Sequence, residues 1–142
     1  MTHIASRVEG FVHEDTQVHD GGVDLTVAGV HAVTEPGAVD FGGDELAAAE
    51  TVALDPEKRQ PDDEYGWWEL GHGTHLLEFN ETLAPREGER LVVQTRDELL
   101  ARGAYHPTLH ARDLGLVPLT AGEGVHLKQN ARVSTVVGVE PD

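Results

Sequence analysis

Brief apolar runs, cut at short intervals by glycine and proline, constrain this chain most, because they leave no segment long enough for a helical core. The best helix candidate is short, Asp97 to Arg102, with leucines at 99 and 100. The runs read instead as strands: Gly22 to Val33, Thr51 to Leu54, Trp67 to Leu70, His75 to Asn80, Arg90 to Thr95, Tyr105 to Ala111, Val125 to Lys128 and Arg132 to Val139. Turn signals fall at Glu35-Pro36-Gly37, Gly71-His72-Gly73, Arg86-Glu87-Gly88 and Ala121-Gly122-Glu123-Gly124. Short strands punctuated in this way predict an all-β sandwich, jelly roll or barrel. A length of 142 residues fits a single domain, 1–142.

The first strand carries the most information. Gly21-Gly22 places a backbone turn directly before Val23-Asp24-Leu25-Thr26-Val27, where Val23, Leu25 and Val27 alternate with Asp24, Thr26 and Ala28. This period of two predicts a half-buried strand with Asp24 facing away from the core, a carboxylate held rigidly at a sheet edge. Between Leu54 and Tyr65 the chain is polar and bracketed by prolines, which predicts an exposed acidic loop at 55–64 within the domain. Trp67 and Trp68 follow it. Neighbouring strand residues face opposite ways, so one tryptophan should enter the core and the other lie outside.

Charge narrows the function classes. Asp and Glu number 26 against 10 Lys and Arg, a formal net charge of −16. Molar salt, which shortens the Debye length to about 3 Å, would make such self-repulsion harmless. Lys58 and Lys128 are the only lysines and Ile4 the only isoleucine, a composition like that of proteins from salt-accumulating microbes. No basic stripe is present to neutralise phosphates along a nucleic acid. There is no cysteine, hence no disulfide or thiolate chemistry, and no apolar leader or bilayer-length run, so a cytoplasmic protein without a membrane partner is expected.

Few motifs carry chemistry on their own. No serine lies in a Gly-x-Ser-x-Gly setting. His72 and His75 flank a turn without the further ligands that a metal needs, and His106 and His110 sit in an extended segment; all four read as structural. Asp62-Asp63-Glu64 belongs to the solvated loop. Asp97-Glu98 opens the short helix, where carboxylates suit the N-terminus and Thr95 with Glu98 matches the capping-box pattern.

Four segments taken in order add a resemblance. Gln17-Val18-His19-Asp20-Gly21-Gly22-Val23-Asp24-Leu25-Thr26-Val27, Gly73 to Thr82, Thr95-Arg96-Asp97-Glu98-Leu99-Leu100, and Asn130-Ala131-Arg132-Val133-Ser134-Thr135-Val136-Val137 follow the order and spacing of the dUTPase and dCTP deaminase superfamily. The chain resembles especially its archaeal trimeric dUTPase branch, from about Val12 to Val137. This implies a distorted jelly roll, a homotrimer with nucleotide sites between subunits, and magnesium-dependent cleavage of dUTP to dUMP and pyrophosphate. It implies Asp24 beside a hydrated magnesium, Asp113 as the base that activates water, and Arg96, Arg132 and Thr135 as nucleotide-binding residues.

The departures from the family pattern are equally specific. Where the family has Arg-Ser-Ser, this chain has Arg96-Asp97-Glu98; Ala111-Arg112-Asp113-Leu114-Gly115 lacks the family's tyrosine; Arg132-Val133-Ser134-Thr135 lacks its glutamine. No glycine-rich arm follows Val139, and the segment carrying the deaminase glutamate is not recognisable. The expectation is therefore a dUTPase rather than a deaminase, with hydrolysis weak or lost. The alternative is a noncatalytic trimer or an interaction module on the same fold.

Overall fold

A computed structural model describes residues 2–142 and is all-β with a curled principal sheet. Its strands are β1 (Val8–Glu9), β2 (Val18–His19), β3 (Gly22–Glu35), β4 (Glu50–Ala53), β5 (Trp67–Leu70), β6 (Thr74–Phe79), β7 (Thr82–Leu83), β8 (Glu89–Thr95), β9 (Leu109–Ala111), β10 (Val117–Thr120), β11 (Val125–Lys128) and β12 (Arg132–Pro141). Single-turn helices α1 (Thr2–Ala5), α2 (Glu14–Gln17) and α3 (Asp97–Leu100) accompany them. The principal sheet runs β10-β6-β3-β12-β8-β9, with β2 and β4 also paired to β3; β1 pairs with β7, and β5 with β11. Among the described residues no helix is long and apolar enough to cross a membrane.

β3 is the spine. Its first half sends Val23 and Leu25 into one apolar cluster with Leu91, Val93 and Val136, and its second half sends Val27 and Val30 into another with Trp68, Leu77 and Leu119. A register shift between Val27 and Gly29 turns Val27 and Val30, three residues apart, toward the same cluster. Such a bulge changes which residues face inward. A single strand serves two cores.

The turn before β3 is as the glycine pair predicts. Gly22 has φ +138°, and a Cβ there would lie 2.2 Å from the Val136 carbonyl oxygen, so only glycine fits. Asp24, however, is buried at 1% exposure. Alternation correctly removed it from the apolar set, but at this point β3 is covered on both faces.

Other differences have local causes. Extended structure from Tyr105 is broken: Tyr105 makes an isolated bridge to Thr120, and the strand resumes only at Leu109. Pro107, lacking an amide hydrogen, stands between them. β10 contains Pro118 and gave no strand signal, yet it lies at the sheet edge where proline is tolerated. The capping box does not form: Arg96 is the N-cap of α3 and makes no side-chain capping bond. The Thr95 hydroxyl bridges the backbone N–H and carbonyl of His106 instead.

Trp68 is buried with its indole N–H on the Leu54 carbonyl, while Trp67 lies farther out beneath Arg59, 3.7 Å from the ring centroid, as the alternation predicts. The 55–64 loop is mostly exposed. A second protrusion had no signal in the sequence. Beyond the paired ends of β3 and β4, residues 36–49 form an arm closed by a bridge between Ala38 and Ala47.

Candidate functional site

The site is built where the start of β3 crosses β12 and the end of β8. Asp24 pairs with Thr135 in the β3–β12 ladder, and the Thr135 hydroxyl donates to Asp24 Oδ1 at 2.8 Å. On a regular strand Arg132 and Thr135 would face opposite ways. A register shift between Arg132 and Ser134 turns both toward Asp24, and an Arg132 guanidinium nitrogen lies 3.2 Å from Oδ2. Asn130, at φ +67°, sets the turn into β12, its side chain accepting from Asn80 at 2.8 Å. Arg96, just past β8, brings Nε to 3.4 Å from Oδ2.

His19 completes the group. The Gly21 N–H donates to His19 Nδ1 at 3.1 Å, which leaves Nε2 as the protonated nitrogen, donating to Asp24 Oδ1 at 2.9 Å. Asp24 therefore accepts two hydrogen bonds on Oδ1 and one, from Arg132, on Oδ2, with Arg96 in an ion pair beside it. That arrangement fits an anchor for two arginines.

Behind Asp24 lies a second buried carboxylate, Glu81. Its oxygens accept from the Thr26 N–H at 2.8 Å, the Thr26 hydroxyl at 2.5 Å and Gln17 Nε2 at 2.8 Å. Gln17 also donates to the Asp24 carbonyl at 2.9 Å and accepts the amides of Val12 and His13. This network pins α2, so that Thr16 and His19 form one wall of the cleft. On the other side Ser134 and His106 are both buried, with Nε2 2.7 Å from the serine hydroxyl and Nδ1 2.7 Å from the Pro107 carbonyl. Burial lowers the His106 pKa. The pair resembles a nucleophilic dyad in distance only, since Ser134 is fully enclosed.

Asp24 floors a cleft of about 370 Å³ whose walls include His19, Arg96, Arg132 and Thr135. Four of the five residues singled out in the sequence thus meet in one place. Asp97 and Glu98 line the same cleft at its exposed rim, so its fixed charges are two arginines against three carboxylates. The fifth, Asp113, is elsewhere, exposed in the bend between β9 and β10. It precedes Leu114, Gly115 and Leu116, which line a separate cavity of about 420 Å³ with His31 and Phe79. Of the remaining histidines, His72 donates to the Gly122 carbonyl and His110 pairs with Glu140.

Sequence reasoning overlooked the roles of Gln17, His19 and Glu81. Gln17 and His19 stood in the first matching segment, and their nearness to the glycine turn was the available signal. Glu81 stood in the second matching segment, Gly73 to Thr82, but nothing marked it out among 26 acidic residues.

No family model matches the chain. It is similar to proteins named probable deoxyuridine 5'-triphosphate nucleotidohydrolase from two methanogens. That of Methanococcoides burtonii is 26% identical over 134 residues, covering 89% of this chain and 74% of its own. That of Methanosarcina mazei is 26% identical over 132 residues with the same coverages, 89% and 74%. Among solved structures, the 2'-deoxycytidine 5'-triphosphate deaminase of Agrobacterium tumefaciens matches 96% of this chain with a TM-score of 0.58 at 12% identity, a likeness of fold. This chain spans 46% of that one.

Proposed function

We propose, from the premise that this chain belongs to the dUTPase and dCTP deaminase superfamily, that its Asp24 cleft takes up a deoxynucleotide while hydrolysis of dUTP to dUMP and pyrophosphate is weak or lost. One observation carries the reading: Asp97 and Glu98 share the cleft with Arg96 and Arg132. The guanidiniums, oriented by Asp24, suit phosphate oxygens. A carboxylate about 4 Å from a phosphate oxygen opposes it by roughly 4 kcal/mol at an effective dielectric near 20. Two such groups offset what the arginines supply. Magnesium enters this reading on the nucleotide's own phosphates, where it would neutralise charge.

In the same reading the chain forms a homotrimer. A cleft with Asp24 in one copy then faces the β9–β10 bend of another, and Asp113 of that neighbour stands where a base for water is needed. Its separation from Asp24 within one chain supports this arrangement.

The test is pyrophosphate release from each deoxynucleoside triphosphate with magnesium in molar potassium chloride, alongside equilibrium binding of dUTP. Binding with little or no turnover is expected. Brisk dUTP turnover that disappears in Asp113→Asn would overturn the loss of catalysis, and absence of nucleotide binding by the folded protein would overturn the whole reading.

A further inference from the structure

The 36–49 arm is the least explained part of the molecule. Every residue from 36 to 49 except Asp40 is exposed, and Val39, Phe41 and Leu46 are 89%, 109% and 64% exposed. No residue of the arm belongs to either apolar cluster. Phe41 is one of three phenylalanines in the chain, so its placement in water is not a matter of abundance.

The arm is nevertheless ordered by its own bonds. Asp40 accepts the amides of Gly43 and Glu45, both at 2.9 Å, and Ala38 and Ala47 exchange backbone hydrogen bonds at 2.8 and 2.9 Å. At its base, a Cβ on Gly37 would lie 2.7 Å from the Ala47 carbonyl oxygen, so the two sides of the arm are in close contact. A loop closed by its own hydrogen bonds, with an aromatic ring held clear of the core, has less conformational freedom to lose on binding. Its charges, Asp40, Asp44 and Glu45, are all acidic, and Glu35 and Glu50 flank its base.

The same chain offers the opposite surface. Beside the cleft lies a shallow depression of about 110 Å³ with Leu99, Val125, Leu127 and Val133 in its floor and Arg102, Arg132, His126 and one carboxylate, Glu98, around it. Arg102 makes no salt bridge among the described residues; its guanidinium donates only to the Glu98 carbonyl, at 2.9 Å. Leu100, half exposed, extends the apolar rim. Its two arginines outnumber its one carboxylate, the reverse of the balance in the chain as a whole.

We infer that the arm of one copy docks on the depression of the next, with Phe41 over the apolar floor and Asp44 and Glu45 against Arg102. The contact joins two different patches, so it is heterologous and builds a closed ring when the rotation suits. It rests on the trimer reading above and adds to it the element that holds neighbours together beside the cleft. An aromatic anchor flanked by charge is the composition expected of an interface hot spot.

Sedimentation of the full chain at low and at molar potassium chloride tests it. We expect a trimer whose dissociation constant rises about tenfold or more in Phe41→Ser, the usual scale for an aromatic anchor. Arg102→Glu should weaken it most at low salt, and adding Asp44→Arg with Glu45→Arg should restore it. Because the chain has no cysteine, oxidation of a variant carrying Asp44→Cys and Leu100→Cys reads the contact directly as intermolecular disulfides. A trimer indifferent to Phe41→Ser, or one that yields no such cross-link, overturns this proposal alone. A monomeric wild type overturns the trimer reading and this proposal together.

Discussion

Two buried carboxylates, Asp24 on β3 and Glu81 in the link between β6 and β7, have Gln17 as a common neighbour and are satisfied by opposite means. Asp24 is met by two arginines, a histidine and a hydroxyl, and its partners reach outward to line a cleft. Glu81 is met by an amide, a hydroxyl and a glutamine, all neutral, and its partners reach inward to hold backbone. Buried charge needs donors, but the kind of donor decides what else the group can do. Cations held by Asp24 retain exposed surface for a ligand, whereas the donors on Glu81 are consumed in fixing α2 to the sheet.

Asp24→Asn has the largest expected effect on this contrast. It leaves Arg96 and Arg132 crowded on a neutral amide and should cost roughly 2–4 kcal/mol after discounting for the arginines' partial exposure, with nucleotide binding lost. Denaturant unfolding and a binding titration measure both. A cost under about 1 kcal/mol would put the group on a par with a surface ion pair and break the comparison.

Glu81→Gln should cost less, roughly 1–3 kcal/mol, because the new amide turns a donor toward the Gln17 amide. Nucleotide affinity should fall less than in Asp24→Asn. Equal losses of affinity in the two variants would mean the carboxylates form one site.

Acid sharpens the comparison on the far side of the cleft wall. Burial depresses the His106 pKa, so the fold favours the neutral ring. The stability this contributes is fully present above the unfolded value near 6.5 and is lost as pH falls below it toward the depressed value. Half-buried His75, also depressed, adds in the same direction. Unfolding followed from pH 7.5 to 5 should show the decline, and His106→Gln should flatten it; an unchanged slope in that variant would remove His106 as its source.

A smaller change follows at lower pH. Hydrogen bonding from Arg7 holds Glu89 down at about 2, so stability from this pair is present above about 4.5 and lost as pH falls from there toward 2. Arg7→Met should remove that slope, read by acid titration of ellipticity. The smallest effect is expected in the arm, where Phe41→Ser should leave monomer unfolding within about 0.5 kcal/mol of wild type, because the ring packs on no core.

Sequence by itself determined the all-β class, the glycine turn into β3, most strand positions, the partition of Trp67 and Trp68, and a set of four residues that meet in one cleft. These follow from local physics: period-two alternation, glycine's access to positive φ, and an ordered set of short matches. Only the tertiary structure decided what those residues do to one another. The bulge at Arg132 put two residues of unequal parity on one carboxylate, coverage of both faces buried an aspartate that alternation had placed outside, and chain crossing brought Asp97 and Glu98 into the cleft of the arginines. Glu81 acquired its meaning from Thr26 and Gln17, distant in sequence, and the arm from the absence of anything beneath it. Such facts depend on which strands become neighbours, and a pattern read along one strand carries no term for its neighbour.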